Sequence, residues 1–562
     1  MSRPPREPDL ESGFSSPAIV DSRRLMGPNL LHAGPGAVLD VSLDCTTPDR
    51  NARLLTAWHE RAVFLGHALD WPDTATAQRE YAGGASLFLH APIDQLMTAT
   101  EVSESAWVFA ESVVDGAAAT GADASLAALL VVGRTEAHSA LRAIWNEAAR
   151  RRLNVTFDDT AVAVGTGIGS VTWPGNALPA VDAIDWPSLR DIPIVLVTGS
   201  NGKTTVVRMV AAMARATGHT VGYTCTDGVW IGGVQVERGD YSGPAGARRV
   251  LQDPTVTLAV LETARGGILR RGLAMQHAAV AAVVTLSADH FGGYGIDDLA
   301  ALAEVKLVVG HAVRETGTLV YNGSVPELES ALATYSGRTA SVRIDDSHEM
   351  NPATLAGIPA TLNGSATHNV LNAAIALTIA NALNLGPEAQ TALRKFGADP
   401  RDNIGRLMLH EFGGITVVVD YAHNPQSVAA LIDATRHVAA TRRAITLGTG
   451  GDRDDVALQD IAKAAFDSGI IDLYIAKEMP KFLRGRAPGA ISGVLLTALR
   501  ALGATNTSLA SAPDDMTAVR AALHWARTGD LLLLTVHDQR DEVLSLLADL
   551  AANEWHPHTP LP

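Results

Sequence analysis

Residues 192–205 read IPIVLVTGSNGKTT: an apolar run, a turn with two glycines, then Lys-Thr-Thr leading into a helical pattern, Val206–Ala216, that stops at Gly218. Strand, glycine turn and helix in this order build a phosphate site. Gly199 and Gly202 let backbone N–H groups turn toward an anion, and the following helix points its positive dipole end at the same spot. Lys203 supplies a mobile cation for the β- and γ-phosphates, and the Thr204 hydroxyl suits Mg²⁺. Ser200, Asn201 and Thr205 complete the loop, which is two residues shorter than the common GxxxxGKT form. Alone it says only that a nucleotide is used.

Composition narrows the field. At 562 residues the chain has room for three or four domains of roughly 150 residues each. A net charge of −16 argues against a nucleic-acid polymer as partner, since that needs a basic face. No apolar run approaches the ~18 residues of a membrane span. Met1–Val20 carries Asp9 and Glu11 and no apolar segment, so it reads as a disordered tail rather than a signal peptide, and the protein as cytoplasmic. Cys45 and Cys225 are the only cysteines; their separation argues against a disulfide framework or a zinc site.

Residues 21–175 mix short apolar runs, such as Ala37–Leu43 and Leu126–Val132, with helical patterns such as Glu136–Arg152, and read as an α+β N-terminal domain. GTGIGS at 165–170 imitates a dinucleotide fingerprint, but the following VTWPGN breaks the helix such a site requires, which leaves a turn. Residues 176–190, rich in Pro and small residues, read as a linker. From 191 to 398 apolar runs alternate with helical patterns, which argues a parallel sheet with crossover helices. The strands at 194–198, 258–261 and 282–286 each end on a candidate functional residue, where ligands bind in open α/β sheets. A second alternation over 399–562, with strands at 415–419, 443–447, 473–476 and 531–535 and helices at 427–439 and 455–466, reads as a Rossmann-like α/β domain.

Several residues at these strand ends suit a nucleotide site. Glu262 places a carboxylate within reach of the phosphate loop, which hard Mg²⁺ prefers. Asn369 and Asn372, three apart, share a helix face, and their amides suit an adenine edge. Lys306 sits in an otherwise largely apolar helical stretch, LAALAEVKLVVGHAV, an unusual place for a group that is normally solvated. Lys477, Glu478, Arg484 and Arg486 follow a strand end and read as a grip for the carboxylate of an incoming substrate, against the alternative of a solvated basic loop.

GSNGKTT, then Glu262-Thr263, Asp289-His290, Lys306, His368-Asn369 with Asn372, Gly405-Arg406 and DYAHNP at 420–425 follow one another in the order of the Mur ligase superfamily, which this chain resembles. Within it, LQDPTVTLAVLETARGGILRRGL (251–273), SADHFGGYGIDDL (287–299) and LRGRAPG (483–489) are similar to the ligase domain of cyanophycin synthetases. SRRLMGPNLLHAGPGAVLDVSLD (22–44) and EAARRRLNVTFDDTAVAVGTGIGS (147–170) resemble that group's N-terminal domain. Those enzymes then insert an ATP-grasp module; here only about twenty residues separate Ser170 from the strand at Ile192. Ala366 and YNGSVPEL (321–328) depart from the family pattern.

The resemblance implies an ATP-dependent amide ligase of small-molecule acids and amines. Two Mg²⁺ ions would be held by Thr204, Glu262, His290 and Lys306, with Lys203 on the phosphates of ATP. Whether Lys306 is carbamoylated, as its counterpart is in several relatives, stays open. Arg406 would reach the phosphates and Asp420 the ribose, with His423 beside them, while Arg265 joins Lys477, Arg484 and Arg486 as a substrate contact. A non-ligating nucleotide-binding subunit and a folate or cell-wall ligase are the alternatives, and a homo-oligomer is left open.

Overall fold

A computed structural model describes residues 18–116, 122–288, 291–344 and 352–561. The tail expected at 1–20 lies outside these residues up to 17; Ala18 already begins a strand. Contacts divide the chain into two compact units. One runs to Val207 and takes in Thr217–Ser341 and Thr378–Leu385; the other holds Arg208–Ala216, Val342–Leu377 and Gly386 onward.

The first unit begins with a sheet of β1 (Ala18–Leu25), β2 (Gly36–Ser42), β3 (Thr76–Tyr81) and β4 (Gly84–His90), antiparallel in the order β1-β2-β4-β3. Alternate residues of β2 divide its two faces. Ala37, Leu39 and Val41 pack against helices Pro48–Ala68 and Leu96–Val114 around Trp58 and Trp107, while Val38 lies with Leu25 and Phe88 on the opposite face. The run Leu126–Val132, expected only as a short apolar segment, lies inside helix Ala122–Glu136. The helical pattern at 136–152 resolves into Ser139–Arg150, started by the His138 ring accepting from Leu141 N.

A small sheet of β5 (Val155–Phe157), β6 (Ala161–Val164) and β7 (Val171–Pro174) follows. GTGIGS forms a tight turn ending in one 3-10 turn, with Gly165 and Gly167 at φ 74° and 56°. The stretch read as a linker packs instead: Ile184, Trp186 and Leu189 join Ile144, Val155 and Val162 in one core. Its ends are tied together, Arg190 N donating to Gly169 O and Thr166 N to Arg190 O, at 3.0 and 3.1 Å.

The large sheet contains β8 (Ile194–Thr198), β9 (Val221–Cys225), β10 (Gly228–Ile231), β11 (Val234–Arg238), β12 (Leu258–Glu262), β13 (Ala278–Val283), β14 (Val313–Asn322) and β15 (Thr339–Val342). Their order is β11-β10-β9-β12-β8-β13-β14-β15. The five strands from β9 to β14 run parallel, and β8 and β12 are buried along their whole length. That double burial is why they read as continuous apolar runs rather than alternating ones. The chain leaves β8 to build one side of the sheet through β9 and β12, then crosses to β13 on the other. β8 is therefore the switch point, and ligands of open α/β sheets bind at the carboxyl end of the strand in that position.

The second unit contains β16 (Met408–Phe412), β17 (Ile415–Asp420), β18 (Arg443–Leu447), β19 (Leu473–Lys477), β20 (Leu509–Ala512) and β21 (Leu531–Thr535), in the order β16-β17-β21-β18-β19-β20. All pairs but β16–β17 are parallel. Two cores flank the sheet. The helix expected at 427–439 runs from Pro425 to Thr435, because Asn424 and Ser427 form a reciprocal capping box and proline fits the first helical position.

Candidate functional site

The phosphate loop follows β8 directly, and helix Lys203–Ala216 starts three residues earlier than its apolar pattern announces, so Lys203, Thr204 and Thr205 form its first turn. Gly199 adopts φ 147° and Gly202 φ 83°. A Cβ on Gly199 would lie 2.9 Å from Thr285 N, so the position admits glycine alone. The strand expected to run to Leu286 ends at Val283 for the same reason: the chain leaves the sheet to brace the loop. Thr285 O accepts from Ser200 N (2.9 Å), and Thr285 Oγ1 accepts from Asn201 N (2.8 Å) while donating to Asn201 O (2.9 Å). Ser200 Oγ donates to Ser287 O at 3.2 Å and accepts from Ser287 N at 3.1 Å.

Around this frame the expected residues of the first unit come together. Glu262, at the end of β12, is buried and accepts from Thr204 Oγ1 at 2.7 Å. Thr226, which sequence reasoning passed over, donates its hydroxyl to Glu262 at 3.0 Å and lies 3.3 Å from Thr204 Oγ1. Among the described residues no group of three or more His, Cys, Asp or Glu side chains is placed to hold a metal. The donors at hand are the hydroxyls of Thr204 and Thr226 and the Glu262 carboxylate, a hard-oxygen set that suits Mg²⁺. Lys203 Nζ donates to Ser200 O at 3.0 Å, curled over the loop. Lys306, 4% exposed, donates from the loop's other side to Gly199 O at 3.1 Å. Asp289 and His290 lie outside the described residues. Arg265 opens helix Arg265–Arg271 and donates to Gly293 O at 2.8 Å.

In the second unit, Asn369 and Asn372 are buried on one helix face, Asn372 Nδ2 donating to Asn369 Oδ1 (3.0 Å) and Asn369 Nδ2 to Ala360 O (2.7 Å). Burial pushes the neighbouring His368 down to about 4, so its ring is neutral at pH 7. The Arg406 guanidinium stacks over Tyr421 at 4.4 Å. Burial raises the Asp420 carboxyl and Arg406 opposes the shift; its Oδ2 accepts from Leu407 N at 2.7 Å.

The grip expected from Lys477, Arg484 and Arg486 is rearranged. Lys477 is completely buried, paired with Asp515 at 2.5 Å and 2.8 Å from His537 Nδ1. It faces the protein, because β19 is buried along its length. Arg486 is committed to Asp455 and to the carbonyls of Gly451 and Arg453. Arg484 alone of the three turns outward, 5.8 Å over Phe482.

His537 joins two sets that the sequence left apart. Its Nε2 meets Ala422 O at 3.1 Å, and its ring stands 4.9 Å from Tyr421 and 6.3 Å from His423. Burial alone would raise the Asp515 carboxyl, but the Lys477 ammonium and backbone N–H donors hold it well below the carboxylate range. The same burial, with Lys477 beside it, holds His537 neutral. Its place two residues beyond β21, at a carboxyl end, was the available signal; Asp515 carried none, since its partner is 38 residues away.

Residues 197–380 match the Mur ligase middle domain, and 405–535 the Mur ligase glutamate ligase domain. A cyanophycin synthetase of Trichormus variabilis is 36% identical over 355 residues, which cover 57% of this chain and 39% of that one. The chain thus spans well under half the length of that relative. A UDP-N-acetylmuramoyl-L-alanyl-D-glutamate--2,6-diaminopimelate ligase of Corynebacterium glutamicum is 25% identical over 73% of this chain and 83% of that one. A solved bifunctional folylpolyglutamate synthase/dihydrofolate synthase with Mn, AMPPNP and L-glutamate bound is 18% identical, with a TM-score of 0.46 over 63% of this chain and 89% of that one. With middle and glutamate ligase domains matched in order, and the phosphate loop at the start of the first, the chain belongs to the Mur ligase family.

Proposed function

We propose that this protein is an ATP-dependent ligase that activates a small-molecule carboxylate as its acyl phosphate and couples it to an amine or amino acid, releasing ADP and phosphate. The observation that carries this reading is the Thr204–Glu262 pair, 2.7 Å apart beneath a glycine-formed phosphate loop. Hydroxide leaves a carboxylate poorly; phosphorylating the acid supplies a good leaving group, and the amine then attacks the acyl carbon and expels phosphate.

The chain's own part is positioning and charge. Loop N–H groups and the helix start receive the phosphates, and Lys203 swings from Ser200 O to the β- and γ-phosphates. Thr204 and Glu262 would hold Mg²⁺, which would supply positive charge against the phosphates. Within the second unit, the Asn369–Asn372 pair suits an adenine edge, and Arg406 and Asp420 suit phosphates and a ribose. Lys306 is either an ammonium bracing Gly199 or, once carbamoylated, a second anionic metal ligand. Arg265 is the first unit's candidate contact for an incoming substrate, and Arg484, the outward-facing arginine of the basic loop, is the second unit's.

ADP release from ATP, screened across acids and amines with mass spectrometry of the products, tests the proposal. Release that requires both an acid and an amine supports it. Nucleotide binding without any product marks a non-ligating subunit; a product only with folate or cell-wall acceptors marks the other ligase class. Function in the cytoplasm fits the reading, and no helix among the described residues is long and apolar enough to cross a membrane.

A further inference from the structure

The face of the N-terminal sheet turned away from its own helices is polar at its centre. Asp40 on β2 pairs with Arg23 of β1 and accepts from Ser86 Oγ of β4 at 2.5 Å. Arg79 lies opposite Ser86 in the β3–β4 ladder, and Tyr81, two residues on, shares its face.

That face meets the loop Gly292–Ile296. Arg79 Nη1 donates to Gly295 O at 3.0 Å and Tyr294 O at 3.4 Å, and its Nε lies 3.6 Å from Glu304. The Tyr81 ring fills the space a side chain on Gly295 would need: a Cβ there would stand 2.1 Å from Tyr81 Cγ. The Arg23 guanidinium covers the Tyr294 ring at 4.7 Å, and its Nε donates to Leu269 O at 2.9 Å. Gly292, Tyr294 and Gly295 have φ of 91°, 61° and 65°. A tyrosine in the left-handed region keeps that conformation only where its surroundings impose it.

The loop's other side leads into the ligase site. Gly293 O accepts from Arg265, three residues beyond Glu262. Asp298 caps the next helix, Leu299–Leu307, by accepting from Ala301 N at 2.8 Å, and that helix presents Lys306 to Gly199 O.

We propose that the N-terminal sheet is a positioning element of the ligase site: Arg79, Tyr81 and Arg23 lock the Gly292–Ile296 loop, and so hold both Arg265 near Glu262 and the Lys306 helix against the phosphate loop. The catalytic half of this rests on the ligase reading; the mechanical half does not. It gives the N-terminal domain a role in the single reaction of this chain.

Hydrogen exchange and steady-state kinetics on the full chain test it. Arg79→Ala is expected to speed exchange of amides 292–305 at least tenfold and to lower kcat at least tenfold, with KM for ATP within threefold of the parent. Arg79→Lys, which keeps the charge but loses the planar fork, restores part of kcat. Gly295→Ala attacks the same contact from the loop side and should reproduce the signature should Arg79→Ala fold poorly. Unchanged exchange in both variants, or a loosened loop with unchanged kcat, overturns the proposal. If the unaltered chain ligates nothing, the ligase reading falls, and the exchange comparison by itself decides whether the lock exists.

Discussion

Lys203 in the resting loop is bonded to Ser200 O rather than to any acidic partner named at the site. Its ammonium is therefore available to phosphates at the cost of one neutral hydrogen bond. Lys203→Ala is expected to lower kcat at least a hundredfold, the scale of losing one charge-stabilising donor, with the urea midpoint nearly unchanged. Kinetics alongside urea denaturation check this. Lys306 differs, since it is buried and braces Gly199. Lys306→Ala should abolish ligation, and if the side chain is carbamoylated, ¹³C-bicarbonate should give a carbamate signal in the parent that the variant lacks.

At the scale of elements, the carboxyl ends of parallel strands collect the polar groups of both units: Glu262 on β12, Asp420 on β17, Lys477 on β19 and His537 just beyond β21. The Lys477–Asp515 pair fastens β19 to the helix Asp515–Trp525, while Asp515 Oδ2 accepts from the N–H groups of His537, Asp538 and Gln539. Asp515→Asn strands a buried ammonium, and should cost about 3–5 kcal/mol in urea unfolding. Adding Lys477→Met to that variant should recover part of the loss, because it removes the stranded charge. A double variant no more stable than Asp515→Asn would show that the backbone contacts of Asp515, not the ion pair, dominate.

At the scale of the whole molecule, burial lowers the pKa of six described histidines, His32, His277, His311, His368, His410 and His537. The unfolded chain then binds more protons below the ordinary value of 6.5, so stability is complete above that value and falls as pH drops toward the folded values. Glu111, Asp191 and Asp420, raised by burial, act in the opposite sense and are outnumbered. The urea midpoint should be lower at pH 5 than at pH 7.5. His368→Gln should flatten that fall by on the order of 1–2 kcal/mol, allowing for the partial exposure of the ring.

Also at this scale, Ser170 connects to β8 through a short packed segment closed by Gly169 and Arg190. We expect one amide per ATP and no polymer from aspartate plus arginine with the purified chain; insoluble polymer formed from those two amino acids would refute it.

The strand, loop and helix of the phosphate site were legible in the sequence because they are contiguous: apolar runs, two glycines and a Lys-Thr pair fix them locally. So were the helix Asp455–Phe466 and the strands Arg443–Leu447 and Leu531–Thr535, whose apolar patterns end at clear turns. Tertiary structure decided what depended on distant partners. β13 stops at Val283 because Thr285 is needed to brace a loop 84 residues earlier in the chain. Residues 176–190 pack because Trp186 finds Ile144 and Val162, which their Pro-rich composition does not reveal. Lys477 turns inward because Asp515 and His537 wait on other elements, and the Gly292–Ile296 loop takes its shape from Arg79 and Tyr81, more than two hundred residues away. Periodicity and turn chemistry act over a few residues and can be read along the chain; ion pairs and packing act through space, and only the folded chain brings their partners together.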